Sequence, residues 1–182
     1  MMPEKPPRSR GHNREVDRTG NLLGAAALAI SGAAEDSAGG RSLAGNAALA
    51  ILRQWPPGSI GILSKNLRRS HSATVRLIEE LQADGLVTKR VGQDRRSIVV
   101  KLTAAGRRAA EAILASRAKV LDGVVATLPP ADRLNLTRIL EKILTSLTPD
   151  REACDHICRL CQLAACPQDR CPVELAAGRQ AD

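Results

Sequence analysis

The chain has 182 residues, of which 43% are hydrophobic but only 1% aromatic, with one Trp and neither Tyr nor Phe, and it carries a formal charge of +8. Its length sets one domain with appendages as the expectation. The missing aromatics exclude a nucleic-acid grip built on base stacking, and no apolar stretch approaches the ~20 residues that a membrane span needs.

Residues 1–20 hold Pro3, Pro6 and Pro7 among mixed charges without periodicity, and they are predicted to be disordered. Leu22 to Ile30 is an apolar run of nine. Upstream arginines give it the look of an export leader, but Glu15 and Asp17 just before it oppose that reading. Residues 21–41 are instead predicted as a short helix that packs in a dimer, with the Gly-, Ala- and Ser-rich stretch from Ser31 to Arg41 as a flexible connector. Leu43 to Gln54 is periodic through Leu49, Ile51 and Leu52. Trp55-Pro56-Pro57-Gly58 must stop it, since proline removes the amide donor and restricts the residue before it.

Residues 42–102 contain the outline of a winged helix-turn-helix, a module that places its second helix in the major groove of DNA. Ile60 to Leu67 is a short helix with Ile60, Leu63 and Leu67 inward. A second helix begins near Ser70-His71, with Ser70 as N-cap. Its Val75, Leu77, Ile78 and Leu81 belong to the core, and Asp84-Gly85 ends it. Two β-runs follow, Leu86-Val87-Thr88 and Ile98 to Leu102, joined by the charged tip Gly92-Gln93-Asp94-Arg95-Arg96. From Ser59 to Arg108 eleven Lys and Arg face four acids, a net +7, so nearly all of the excess positive charge sits here. A polyanion is the economical partner.

Specific contacts can be assigned within that module. Ser70, Ser72 and Thr74 carry short hydroxyls able to reach phosphates or base edges, and His71 is a phosphate donor. Arg68 and Arg69 add charge at the turn, and Lys89 adds it on the wing. Arg76 suits a bidentate contact to guanine, with a phosphate contact or an ion pair to Glu80 as the alternative. Arg95 and Arg96 project from the hairpin tip, where arginine fits a narrow minor groove.

Residues 103–147 read as dimerisation helices. Thr103 to Leu128 is one long helix, capped by Thr103, with Leu114, Leu121 and Leu128 at heptad spacing. Pro129-Pro130 breaks it, and Ala131 to Leu147 continues with Leu136, Ile139, Leu140, Ile143, Leu144 and Leu147. Together they carry more apolar face than one chain can cover, which implies a homodimer.

All five cysteines lie in residues 148–182, a tail of net charge −2, between positions 154 and 171. If Glu152 to Leu163 is helical, Cys154, Cys158 and Cys161 share a face. Such crowding favours metal binding or redox sensing over structural disulfides. Cys158, Cys161, Cys166 and Cys171 could close around zinc or an iron–sulfur cluster, with Cys154 and His156 as substitutes. The Cys-Pro pairs lean toward iron–sulfur. A reversible dithiol switch or plain packing of small hydrophobes are the other readings. No Gly-rich phosphate loop and no nucleophile–base constellation is present, so the chain is not expected to be an enzyme.

The run LSKNL-RRSHSATVRLIEELQADGLVTKR, the wing DRR and the following LTAAGR resemble the MarR family of bacterial transcription regulators, over about Ala44 to Leu147. The resemblance implies a mainly α fold with a small β-hairpin wing. It further implies a cytoplasmic homodimer on double-stranded DNA with no membrane partner, a repressor by expectation, and a small-molecule effector such as an aromatic acid. The family's wing commonly carries Asp-x-Arg, matched by Asp94-Arg95-Arg96, which suggests that Asp94 orients Arg96. Where the family often has Gly and an apolar residue between the two helices, this chain has Arg68-Arg69.

Overall fold

The computed structural model describes residues 12–56, 58–92 and 98–178, with side chains from residue 18 onward. Its centre is helix α2 (Leu43–Gln54), in which every residue from Gly45 to Leu52 is buried. A helix apolar all round belongs inside, and its alanines let neighbours approach closely. Ser42 Oγ caps it by accepting from Gly45 N at 3.2 Å, and it stops at Trp55 as the prolines require. A two-residue strand, β1 (Gly58–Ser59), leads into α3 (Ile60–Leu67), which is capped by Ser59 and buries Ile60, Leu63 and Leu67.

The turn out of α3 is unusual. Arg68 adopts φ 50° and ψ 47°, the left-handed region, so a guanidinium-bearing residue sits where glycine is at home. Arg68 N donates to Lys65 O and Arg69 N to Ser64 O, closing the helix end. The left-handed conformation costs a residue with a Cβ about 1–2 kcal/mol, part of which glycine returns as unfolded-state entropy. Arg68→Gly is therefore expected to raise stability by about 0.5–1 kcal/mol in urea denaturation, while weakening DNA binding through the lost cation. A lowered midpoint would show that the arginine holds the turn by contacts of its own.

Helix α4 (His71–Ala83) starts at Ser70, whose Oγ accepts from Ala73 N at 3.2 Å. It buries Thr74, Leu77, Ile78 and Leu81. Gly85 at φ +70° turns the chain out, and Leu86 N returns to Leu81 O at 2.9 Å. Strands β2 (Val87–Val91) and β3 (Ile98–Leu102) pair antiparallel from Val87↔Leu102 to Val91↔Ile98, and β1 lies on the other edge of β3. This is the expected winged helix-turn-helix.

Helix α5 (Ala104–Ala126) begins at a knot around Thr103. The Thr103 hydroxyl donates to Gly85 O at 2.8 Å and accepts from Gly106 N at 3.0 Å, while Thr103 N donates to Leu86 O. The second half of α5 is largely open, and α6 (Pro130–Ser146) buries no residue fully within the chain. Leu134 is 75% exposed and Leu147 59%.

Two expectations are corrected at the ends. Helix α1 spans His12–Asp36, so residues 12–20 are not disordered and the connector does not begin at Ser31. Alanines carry the helix on past the apolar run, and the stop comes only at Gly39 and Gly40, both at positive φ. Residues 1–11 lie outside the described residues. The tail also differs. Its helix α7 (Arg151–Ile157) is capped by Asp150 and gives way to a 3-10 turn at Cys158–Leu160, well short of Leu163. Helix α8 (Pro172–Gly178) folds back, and Cys154, Cys171, Val173 and Ala177 form a second small core with Leu144 of α6.

Candidate nucleic-acid interface and cysteine basin

Helix α4 divides by its period. One side feeds the core, and the other presents His71, Ser72 and Arg76 to solvent from its first turns. Arg76 forms no ion pair with Glu80 among the described residues, which leaves its guanidinium available. Arg68 and Arg69 are exposed immediately before the helix, beside amides whose partial positive charge favours phosphate. Ser70 is exposed but engaged, its Oγ capping the helix and lying 3.3 Å from Ser72 Oγ.

Thr74 is corrected. It is fully buried, and its hydroxyl donates back to Ser70 O at 3.0 Å, so it cannot reach a base or phosphate. Lys89 is half-buried and pairs with Glu79 at 3.7 Å, tying the wing to α4. Its neighbour Arg90 is the outward cation of that strand, a residue that sequence reasoning missed. Strict alternation counted from buried Val87 would have found it. Lys65 and Lys101 add exposed charge nearby. Asp94, Arg95 and Arg96 lie outside the described residues.

The cysteine tail docks behind this surface, against the reading head's own helices. His156 Nδ1 donates to Asn66 O in α3 at 2.8 Å, so the ring turns to that carbonyl. Burial draws its pKa below the usual histidine value. Leu163 N donates to Gln54 Oε1 at 3.1 Å, and Arg117 Nε to Leu160 O at 3.4 Å. Between the tail and helices α2 and α3 lies a cavity of about 580 Å³ lined by all five cysteines together with Gln54 and Trp55.

Inside it Cys158 and Cys166 pack against a small core that includes Cys171. The neighbouring Cys158 thiol, with Arg117 and Arg159 nearby, draws the Cys161 thiol down to about 7 despite its burial. Cys158 is pushed up in return, and burial with the neighbouring Cys171 thiol lifts Cys166 to about 11. Cys154 is buried in the same small core. Burial raises it to about 11, and its Sγ donates to Glu174 Oε2 at 3.5 Å, a carboxylate held in turn by Arg151. Among the described residues no group of three or more His, Cys, Asp or Glu side chains is placed to hold a metal ion. Gln54 Nε2 is buried without a hydrogen-bond partner.

No family model and no curated protein matches the chain. Solved structures do match its fold. A MarR family protein from Bacillus stearothermophilus superposes with a TM-score of 0.66 at 21% identity, over 76% of this chain and 99% of that one. The YusO protein from Bacillus subtilis gives 0.64 at 20% identity, over 74% and 97%. MepR, a transcription regulator of the Staphylococcus aureus multidrug efflux pump MepA, gives 0.61 at 19% identity, over 69% and 96%. The chain thus has the winged-helix fold seen in MarR-family regulators.

Proposed function

We propose that this protein is a MarR-type transcription regulator that binds duplex DNA as a homodimer, with α4 in the major groove and the wing reaching the minor groove. The observation that carries the reading is the basic start of α4, where Arg68, Arg69, His71 and Arg76 are all exposed in or just before a capped helix. A fold alone would not carry it, since one fold hosts many functions. No helix among the described residues is long and apolar enough to cross a membrane, and a cytoplasmic regulator rather than an enzyme is the reading that fits.

The second copy is called for by apolar surface. Leu134, Ile139 and Leu140 of α6, Leu147 just after it, and Leu22, Leu23 and Leu28 of α1 are each at least two-fifths exposed in the single chain. Faces of that size are normally covered. Repression, by dimeric occupancy of an operator, is the mode of action proposed. The cysteine basin behind the reading head makes metal or redox state the signal that such a regulator would answer to.

The test is a DNA titration followed by sedimentation. Two chains should bind one duplex, and Arg76→Ala should cost about 1–3 kcal/mol at one base pair while sparing random DNA. Equal losses on both DNAs would demote Arg76 to a phosphate contact, and a monomer on DNA would remove the paired-helix reading.

A further inference from the structure

We propose that the cavity behind the reading head takes a neutral α,β-unsaturated ketone or aldehyde, which Cys161 captures covalently while Gln54 holds its carbonyl oxygen. This names a chemical signal beyond metal or redox state, and only its consequence at DNA rests on the regulator reading. Cys161 is singled out by position. Cys154, Cys158, Cys166 and Cys171 pack in or against the tail's small core, and Cys161 alone of the five does not. It is half-buried and lines the cavity of about 580 Å³. Arg117 stands beside it, donating from Nε to Leu160 O at 3.4 Å and lining a second cavity together with Cys161. A guanidinium next to a partly exposed thiol is the setting of a reactive cysteine, and the thiol's pKa of about 7 agrees with it.

The walls specify the occupant. Ile51, Trp55, Pro56, Ile62 and Leu163 give the cavity an apolar side, and its volume is that of an ordinary ligand site. Among the described lining residues the one cation is Arg151, which is already held by Asp155 and Glu174. No positive charge is left over for a carboxylate, so the ligand that fits is neutral. Gln54 adds a directed donor. Its Oε1 accepts from Leu163 N at 3.1 Å, which fixes the way the amide faces, and its Nε2 is buried without a hydrogen-bond partner. A buried donor with no acceptor is costly, and a carbonyl oxygen would supply one. Leu163 is two residues from Cys161, so donor and thiol belong to one site. An apolar body, a carbonyl and a soft carbon electrophile occur together in an enone or an enal.

In the reaction the Cys161 thiolate adds to the β-carbon. A C–S bond forms, the C=C π pair shifts toward the carbonyl, and the enolate oxygen accepts from Gln54 Nε2. The proton released by the thiol returns through water to the α-carbon. Thiol and enone thus become one saturated thioether carbonyl, and no oxidant or reductant enters. The adduct stands between the tail and helices α2 and α3. The tail is fastened there through Gln54 and, through His156, to Asn66, two residues before the left-handed Arg68. A body wedged into that joint displaces the end of α3 and the turn into α4. DNA affinity then falls by about 5–150-fold, the usual range for coupled sites.

The experiment treats the reduced full chain with 2-cyclohexenone and follows the adduct by intact mass and peptide mapping. One enone per chain is expected, on Cys161, formed faster than on glutathione at the same pH. Cyclohexanone, which lacks the alkene, should leave no adduct. Gln54→Glu keeps the acceptor for Leu163 N and removes the donor. It should slow the enone reaction by about 10²-fold relative to iodoacetamide, which alkylates a thiol without forming an enolate, so the ratio cancels any change in the thiol itself. Cys161→Ser should lose the adduct, with circular dichroism to show that it folds, and the wild-type map is decisive without it. Adducts spread over all five cysteines at the glutathione rate, first reaction at another cysteine, or a Gln54→Glu ratio equal to that of wild type would each overturn the site. Duplex-DNA affinity is measured on the free and adducted forms. An adduct with unchanged affinity overturns the coupling, and DNA binding by a protein that takes no adduct overturns this inference alone. An adduct on a protein that never binds DNA removes the regulator reading instead.

Discussion

Gly106→Ala is expected to unfold the DNA-reading lobe, at a cost above about 4 kcal/mol, the range reserved for severe steric conflict. A Cβ placed on Gly106 would stand 1.9 Å from Leu86 O and 2.9 Å from its carbonyl carbon. That carbonyl cannot retreat cheaply. Leu86 O accepts from Thr103 N at 3.0 Å and from the Thr103 hydroxyl at 3.2 Å, and Leu86 N is committed to Leu81 O. The conflict is backbone against backbone, so rotamer changes give no relief. Gly123→Ala is the control, since nothing lies within 4 Å of a Cβ there. In the interior of the same helix it should add up to about 1 kcal/mol. Urea denaturation of both variants checks the pair. A Gly106→Ala midpoint near that of wild type would show that α5 and the Gly85-Leu86 turn do not approach as closely as described.

The second large effect is on salt. Affinity for duplex DNA should fall by about 10³–10⁵ between 50 and 200 mM salt if ~6–10 phosphates are neutralised per dimer. Each chain offers enough charge for this. Lys65, Arg68, Arg69, Arg76, Arg90, Lys101 and Arg107 are all exposed, whereas Lys89 is partly consumed by Glu79. Fluorescence anisotropy across a salt series gives the slope. A flat plot would remove groove docking, because released counterions are the main source of such binding.

Much of the reading head was legible because local chemistry decides it. Ser70 and Thr103 cap helices where their spacing says they should, and Gly85 stops α4 for the reason glycine usually does. The burial of Leu63, Leu67, Leu77, Ile78 and Leu81 follows the helical period. What escaped was long-range or contrary to type. The extent of α1 is written in alanines that carry no period. The left-handed Arg68 sits in a conformation no arginine advertises. Thr74 looked like a contact because its hydroxyl is short and polar, yet its place one turn after Ser70 lets that hydroxyl be satisfied inside the helix. The docking of the tail depends on His156 meeting Asn66, ninety positions earlier in the chain, and no motif announces that. Its candidate thiols were found by count, but their convergence on one cavity required the fold.

The knot at Thr103 has a mechanical consequence. It welds the far end of α4, the start of β2 and the root of α5 into one piece, leaving no hinge between the part proposed to touch DNA and the long strut that leads away from it. A strut of 23 residues is about 34 Å long, so a tilt of roughly 5° at one end displaces the other by about 3 Å. In a two-fold pair both lobes would swing at once, and successive half-sites lie only about 34 Å apart along the duplex. Control of such a reader does not require reshaping its reading helix. Altering the angle at which two rigid levers cross is enough to put both heads out of register with the groove.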